Sequence, residues 1–152
     1  MPTLLTQSIN IRTSLDSPST VDVYLTQQGL TSFGGSLLST FTSNTILGAT
    51  AEVTSFYDLA NGLWGGTQLQ DNTFSGTGLF TGTNGPLSNP GPWSETVRYH
   101  LTFTGGVGSN FNGTANLTAV PEPATWGMML LGFAGIGMAM RRRRRPALAQ
   151  LA

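Results

Sequence analysis

Cysteine and lysine are both missing from this 152-residue chain, and histidine occurs once. Without cysteine there is no disulfide framework, no thiol nucleophile and no cysteine-ligated zinc. Without lysine there is no Schiff-base chemistry and no phosphate-loop lysine. One histidine excludes a histidine-rich metal site. Charge is scarce as well: 9% of residues carry it, against roughly 25% in an ordinary soluble domain. The formal net charge is +0, from 7 cations and 7 carboxylates. That balance hides an asymmetry, because five of the cations are Arg141, Arg142, Arg143, Arg144 and Arg145. Residues 1–120 hold Arg12 and Arg98 against Asp16, Asp22, Glu52, Asp58, Asp71 and Glu95, a net charge of −4. Phosphate binding needs clustered cations, so no nucleic-acid partner is expected for this part. No cofactor and no metal site is expected either.

What the chain has instead is Thr, Ser, Asn and Gln, with 20 Gly and 8 Pro marking many turns. The length suits one domain with an appendage. Composition changes at Val120-Pro121-Glu122-Pro123. Beyond it, residues 124–140 form a seventeen-residue run with no charge, followed by the five arginines and a short tail, 146–152. As a helix the run would span about 25 Å, the short end of what crosses a bilayer. Trp126 sits where an interfacial aromatic belongs, and Arg141–Arg145 sit where cations hold a chain on the cytoplasmic side. Gly132, Gly135 and Gly137 argue against a helix buried in a water-soluble core, since glycine costs about 1 kcal/mol there but is common in membranes. The expectation is a transmembrane helix over 124–140, in contact with lipid.

Pro121, Glu122, Pro123 and Trp126, the glycine-containing apolar run and the arginine block together resemble a PEP-CTERM sorting signal. The subtype is the one in which Trp follows Pro-Glu-Pro by three residues. The resemblance covers about 120–145, with the motif in 120–127; Gly127 stands where that subtype has Ala. It implies recognition by exosortase, a membrane-embedded processing enzyme. It also implies an exported surface or secreted protein of a Gram-negative bacterium, linked to exopolysaccharide, biofilm or extracellular matrix. The precursor would be anchored in the inner membrane with its body outside the cytoplasm. Similar tails also go by the name of an ice-binding protein C-terminal domain, a label that belongs to the tail. The prolines fix φ and lack N–H groups, so the motif is expected to stay extended and outside the helix. Residues 1–8 have no basic region and no apolar run of seven, so they do not read as a secretory signal. Export needs one; the expectation is a natural start further upstream, the alternative being a copy that is not exported.

The body, 1–119, shows the period-two pattern of half-buried strands. Ile9, Ile11, Thr13 and Leu15 alternate with polar residues, as do Val21, Val23 and Leu25, and Ala49, Ala51 and Val53, before Phe56 and Tyr57 confuse the phase. Val97, Tyr99, Leu101 and Phe103 mark the clearest strand; Phe111, Gly113, Ala115, Leu117 and Ala119 mark another. Asn61-Gly62 is a hairpin signal. Leu30 to Leu47 could hold a short helix, but its Ser/Thr density favours strands. The fold expected is mainly β: one β-sandwich or jelly-roll-like body of eight to ten short strands, then one C-terminal helix.

A catalytic site is hard to find, and a non-enzymatic protein is expected. His100 falls on the polar face of its strand, beside Arg98 and Thr102. Gly76 to Gly82 is one residue off a dinucleotide fingerprint, and a turn between strands explains it better. Glu52, Asp58, Asp71 and Glu95 could include a glycosidase pair only if two came within ~5–10 Å. Asp71-Asn72 and Asp58 with Asn61 could be loop ligands or ordinary turn residues. An ice-binding face would need regular Thr-x-Thr rows; those at 40, 81 and 102 are unevenly spaced. Carbohydrate binding is the more natural activity, since sugars stack on aromatic rings rimmed by amides. Trp64 and Trp93 both sit at turns and are the candidate platform, the alternative for each being a plug at the end of the core.

Overall fold

In a computed structural model of the chain, the residues described are 6–14, 16–31, 33–89, 91–106, 108–120 and 123–143. The chain divides into two units, Met1–Val120 and Pro121–Ala152.

Eight strands make up the first unit: β1 (Thr6–Thr13), β2 (Ser19–Leu30), β3 (Phe33–Leu47), β4 (Ala49–Asp58), β5 (Thr67–Phe74), β6 (Gly78–Asn89), β7 (Trp93–Phe103) and β8 (Ser109–Val120). They form two four-stranded antiparallel sheets, ordered β1-β8-β3-β6 and β2-β7-β4-β5. The pairings are nested. β4–β5 is innermost, and β3–β6, β2–β7 and β1–β8 lie progressively outside it, so the chain is one long hairpin wrapped into two layers. This is the connectivity of an eight-stranded jelly roll. Of the pairs just named only β4–β5 joins neighbours in sequence.

The alternating residues of the two central strands build the core. On β7, Val97, Tyr99, Leu101 and Phe103 are fully buried, and on β8 so are Phe111, Ala115 and Leu117. They pack with Leu37 and Phe41 of β3 and Ala51 and Val53 of β4 in one cluster between the sheets. The Tyr99 and Phe111 rings meet at 6.1 Å across it. The Tyr99 hydroxyl donates to the Gln7 carbonyl at 3.4 Å, tying β7 of one sheet to β1 of the other. Two buried hydroxyls, Ser39 of β3 and Ser55 of β4, bond each other at 3.0 Å across the layers. Within the window 30–47 the strand β3 covers Phe33–Leu47, with Leu37, Ser39, Phe41 and Ser43 facing inward. The phase of β4 is intact: Tyr57 packs on the core, and the irregularity lies in its pairing with β5 between Ser55 and Phe56.

The second unit carries helix α1 (Pro123–Arg143). Two expectations are corrected here. Pro123 is the first residue of the helix rather than part of an extended arm. Proline suits that position, where its missing N–H has no intrahelical acceptor anyway. The segment over 124–140 is helical, yet among the described residues no helix is long and apolar enough to cross a membrane. Four glycines, at 127, 132, 135 and 137, add backbone rather than hydrocarbon, and the last turn is Arg141–Arg143.

Candidate functional site

The polar face of β7 organises the outer surface of its sheet. Arg98 and His100 point away from the core residues that flank them, and the register sets a partner on each side. Asp22 of β2 and Glu52 of β4 both pair with His100; Tyr24 and Thr54 both pair with Arg98. The His100 Nδ1 lies 2.8 Å from the Asp22 carboxylate. The Arg98 guanidinium donates to Glu52 and, at 3.4 Å, to the Thr54 hydroxyl. One row further, Thr26 and Thr96 bond through their hydroxyls at 2.8 Å. These contacts join β2, β7 and β4 by polar side chains, the sheet analogue of helical i,i+4 pairs. Thr54 and Thr96 are buried, while both ion pairs are partly exposed, so each pair adds little stability.

At the end of this face stands the β4–β5 loop, 59–66. It is the hairpin expected at Asn61-Gly62, but eight residues long rather than two, because the Asp58 side chain builds its own turn. The Asp58 carboxylate accepts the N–H groups of Ala60 at 2.8 Å and Gly62 at 3.0 Å. Asn61, with φ of 58°, then reaches across to β2. Its Oδ1 accepts the Gly29 N–H at 2.7 Å, and its carbonyl accepts the Gln28 amide at 2.6 Å. The Ser94 hydroxyl donates to the Gly62 carbonyl at 2.6 Å. The loop is therefore bound to β2, β4 and β7.

Trp64 sits on this loop with φ of 63°, a left-handed conformation that costs a bulky residue about 1–3 kcal/mol. Its side chain is 60% exposed. Its backbone N–H donates to the Thr26 hydroxyl at 3.5 Å. Its ring stands edge-on to Tyr24, with centroids 6.0 Å apart and planes at 83°. Tyr24 is itself 38% exposed, and Leu59 and Leu63 of the same loop have more than half their surface in solvent.

The two candidate tryptophans thus part company. Trp93 is 1% exposed, and its indole N–H donates to the Thr31 carbonyl at 2.9 Å. It belongs to the core, and its place in a sugar platform is withdrawn. Trp64 remains on the surface, joined by Tyr24.

The four candidate carboxylates have separate surroundings, although the register sets Glu52 and Asp71 diagonally on the same face of β4 and β5. Glu95 is fully buried and Asp58 caps the loop. Glu52 is bound to Arg98, and Asp71 accepts the Gln68 amide at 2.8 Å. Among the described residues no group of three or more His, Asp or Glu could hold a metal ion. Thr-x-Thr rows do come together on the other sheet, since Thr40 pairs with both Thr81 and Asn116, and Thr42 with Thr114. Leu79 opposite Thr42 and Leu38 between Thr83 and Thr118 break the pattern, and Thr102 lies in the opposite sheet.

In the second unit, Pro121 and Glu122 of the motif and Arg144 and Arg145 of the block lie outside the described residues. Pro123 opens the helix and Arg141, Arg142 and Arg143 close it. Between them Trp126, Leu130, Leu131, Phe133, Ile136 and Met138 are all more than half exposed.

Residues 119–145 match the PEP-CTERM protein-sorting motif, so the chain carries that motif near its C-terminus. The motif implies a sorted, exported protein of the cell envelope that exosortase processes. No curated protein sequence matches the chain. Among solved structures, TmCBM61 in complex with beta-1,4-galactotriose is similar over 74% of this chain and 70% of its own, at 13% identity and a TM-score of 0.41. The infectious bursal disease virus VP2 subviral particle is similar over 91% of this chain and 49% of its own, at 12% identity and a TM-score of 0.21. Both scores are too low for either likeness to bear on function.

Proposed function

We propose that the chain is a non-enzymatic protein of the bacterial surface or extracellular matrix. It is exported, held at the inner membrane by its C-terminal segment, and released when exosortase cuts near Pro121-Glu122-Pro123. The observation that carries this reading is the sorting motif at 119–145, joined to a β body that is a separate compact unit. Helix α1 supports the membrane step through its chemistry: its apolar side chains are exposed, and lipid is the solvent that suits them. Its marginal hydrophobicity fits a segment that is held for processing and then given up.

The non-enzymatic reading rests on how the polar face is used. His100 and Arg98 are engaged with Asp22 and Glu52, so these groups brace the strands. Association with exopolysaccharide is supported by Trp64, an indole left in solvent beside Tyr24 on a loop bound at several points.

The test is to express the chain behind a bacterial secretory signal, with and without exosortase, and to weigh the product. Exosortase should yield a lighter protein lacking Arg141–Arg145. Equal masses in both strains would reduce the tail to an anchor and remove the sorting reading.

A further inference from the structure

Tyr24 and Trp64 are the exposed aromatic residues of the body among those described, and they lie together. The sandwich does not need Trp64 there. This residue lies outside the core cluster and mostly in solvent, yet its backbone holds a left-handed conformation that L side chains avoid. The loop that imposes this conformation is fixed by Asp58, Asn61 and Ser94. Backbone strain at a side chain left mostly in solvent points to a role outside the molecule.

Two rings at 83° form a corner rather than a flat apolar patch. A pyranose fits such a corner, because its C–H face stacks on a ring while its hydroxyls turn to hydrogen-bonding groups at the side. The register supplies those groups. Beside Tyr24 on the same outer face run Arg98, Asp22, His100 and Glu52. Because these groups bond one another, their positions are set before any ligand arrives.

Charge then selects the ligand. This face carries the carboxylates of Asp22, Glu52 and Asp71 against the single guanidinium of Arg98, which already serves Glu52. A polyuronate would bring more carboxylates to a surface with no cation to spare, and like charges that close repel. We infer that the Tyr24–Trp64 corner binds a neutral polysaccharide chain and discriminates against acidic ones. This deepens the proposed association with extracellular polysaccharide and rests on it.

The experiment uses the full chain in a detergent without a sugar headgroup, titrated calorimetrically with galactomannan, xyloglucan, dextran and alginate. At least one neutral polymer should bind, with alginate at least about tenfold weaker. Trp64→Asn keeps a residue tolerant of the left-handed backbone and removes the ring; Tyr24→Thr keeps a strand former and removes the other. Each should weaken binding by about tenfold or more, with the unfolding midpoint retained. Leu79→Thr, at an exposed position on the opposite sheet, should bind as the parent does. No binding to any neutral polymer overturns the inference. So does a preference for alginate, or binding that survives Trp64→Asn, which would point to a protein surface or another face. Processing by exosortase is read separately by mass, so a chain that is cut but binds nothing overturns this inference alone.

Discussion

Replacing Trp93 by Phe tests the inner end of the sandwich. The indole is 1% exposed, packs with Leu30, Val97 and the rest of the central cluster, and donates to the Thr31 carbonyl at 2.9 Å. Phe keeps most of the ring but has no donor. Losing this hydrogen bond, whose carbonyl belongs to an exposed residue that water can reach, costs about 0.5–1.5 kcal/mol. The lost ring volume adds roughly 1 kcal/mol as a small cavity. A destabilisation of about 1.5–2.5 kcal/mol is expected, and about 3–5 kcal/mol for Trp93→Ala. Trp64→Phe trims an exposed indole to a phenyl ring and should stay within about 0.5 kcal/mol. Urea unfolding followed by far-UV circular dichroism measures both, with the midpoint compared at constant slope. Iodide quenching gives an independent reading, since Trp64 should be quenched and Trp93 shielded. Equal costs for the two tryptophans, or a Trp93→Phe protein as stable as the parent, would refute the burial on which the assignment of the aromatic platform depends.

Gly113→Ala should destabilise by about 1–3 kcal/mol, because a Cβ there would lie 2.5 Å from the Phe111 ring and 2.7 Å from the Thr42 backbone oxygen; an unchanged melting temperature would contradict it. Ser39→Ala or Ser55→Ala alone should cost about 1 kcal/mol, while the double variant should cost less than the sum, since both buried partners are then gone; a double-mutant cycle in urea decides it. Burial raises the Tyr99 pKa, opposed by the backbone at Ala115. The unfolded chain ionises this phenol near pH ~10, so its contribution is complete below that pH and falls away as pH rises above it. Tyr99→Phe should flatten the alkaline limb of a stability–pH curve, and an unchanged limb would exclude Tyr99 as its source.

Much of the body could be read from its alternation. The inward faces of β7 and β8 follow from Val97 to Phe103 and from Phe111 to Leu117. Trp93 was within reach too, because it shares the parity of Val97 and so continues the buried face; the Pro-Gly-Pro run before it suggests a surface turn instead. Likewise Tyr24 falls opposite Val23 and Leu25, on the outer face. Pairing was out of reach. Asp22 meets His100 across 78 residues of sequence, and Glu52 meets Arg98 across 46, because the nested topology sets remote segments side by side. Nothing in the sequence announces the left-handed backbone at Trp64, which the hydrogen bonds of Asp58 and Asn61 impose from outside. In the tail the order of motif, apolar run and arginines was legible, whereas the entry of Pro123 into the helix depends on the tolerance of the first helical position.

The sorting claim is tested most directly by replacing Pro121-Glu122-Pro123 with Ala-Ala-Ala in the signal-bearing chain and expressing it with exosortase. The apolar run of 124–140 is untouched by this change, so delivery to the membrane should persist. The account predicts an uncut precursor of full mass, retaining Arg141–Arg145 and sedimenting with membranes, where the parent is cut and released. A triple-alanine protein that is cut and released like the parent would contradict it.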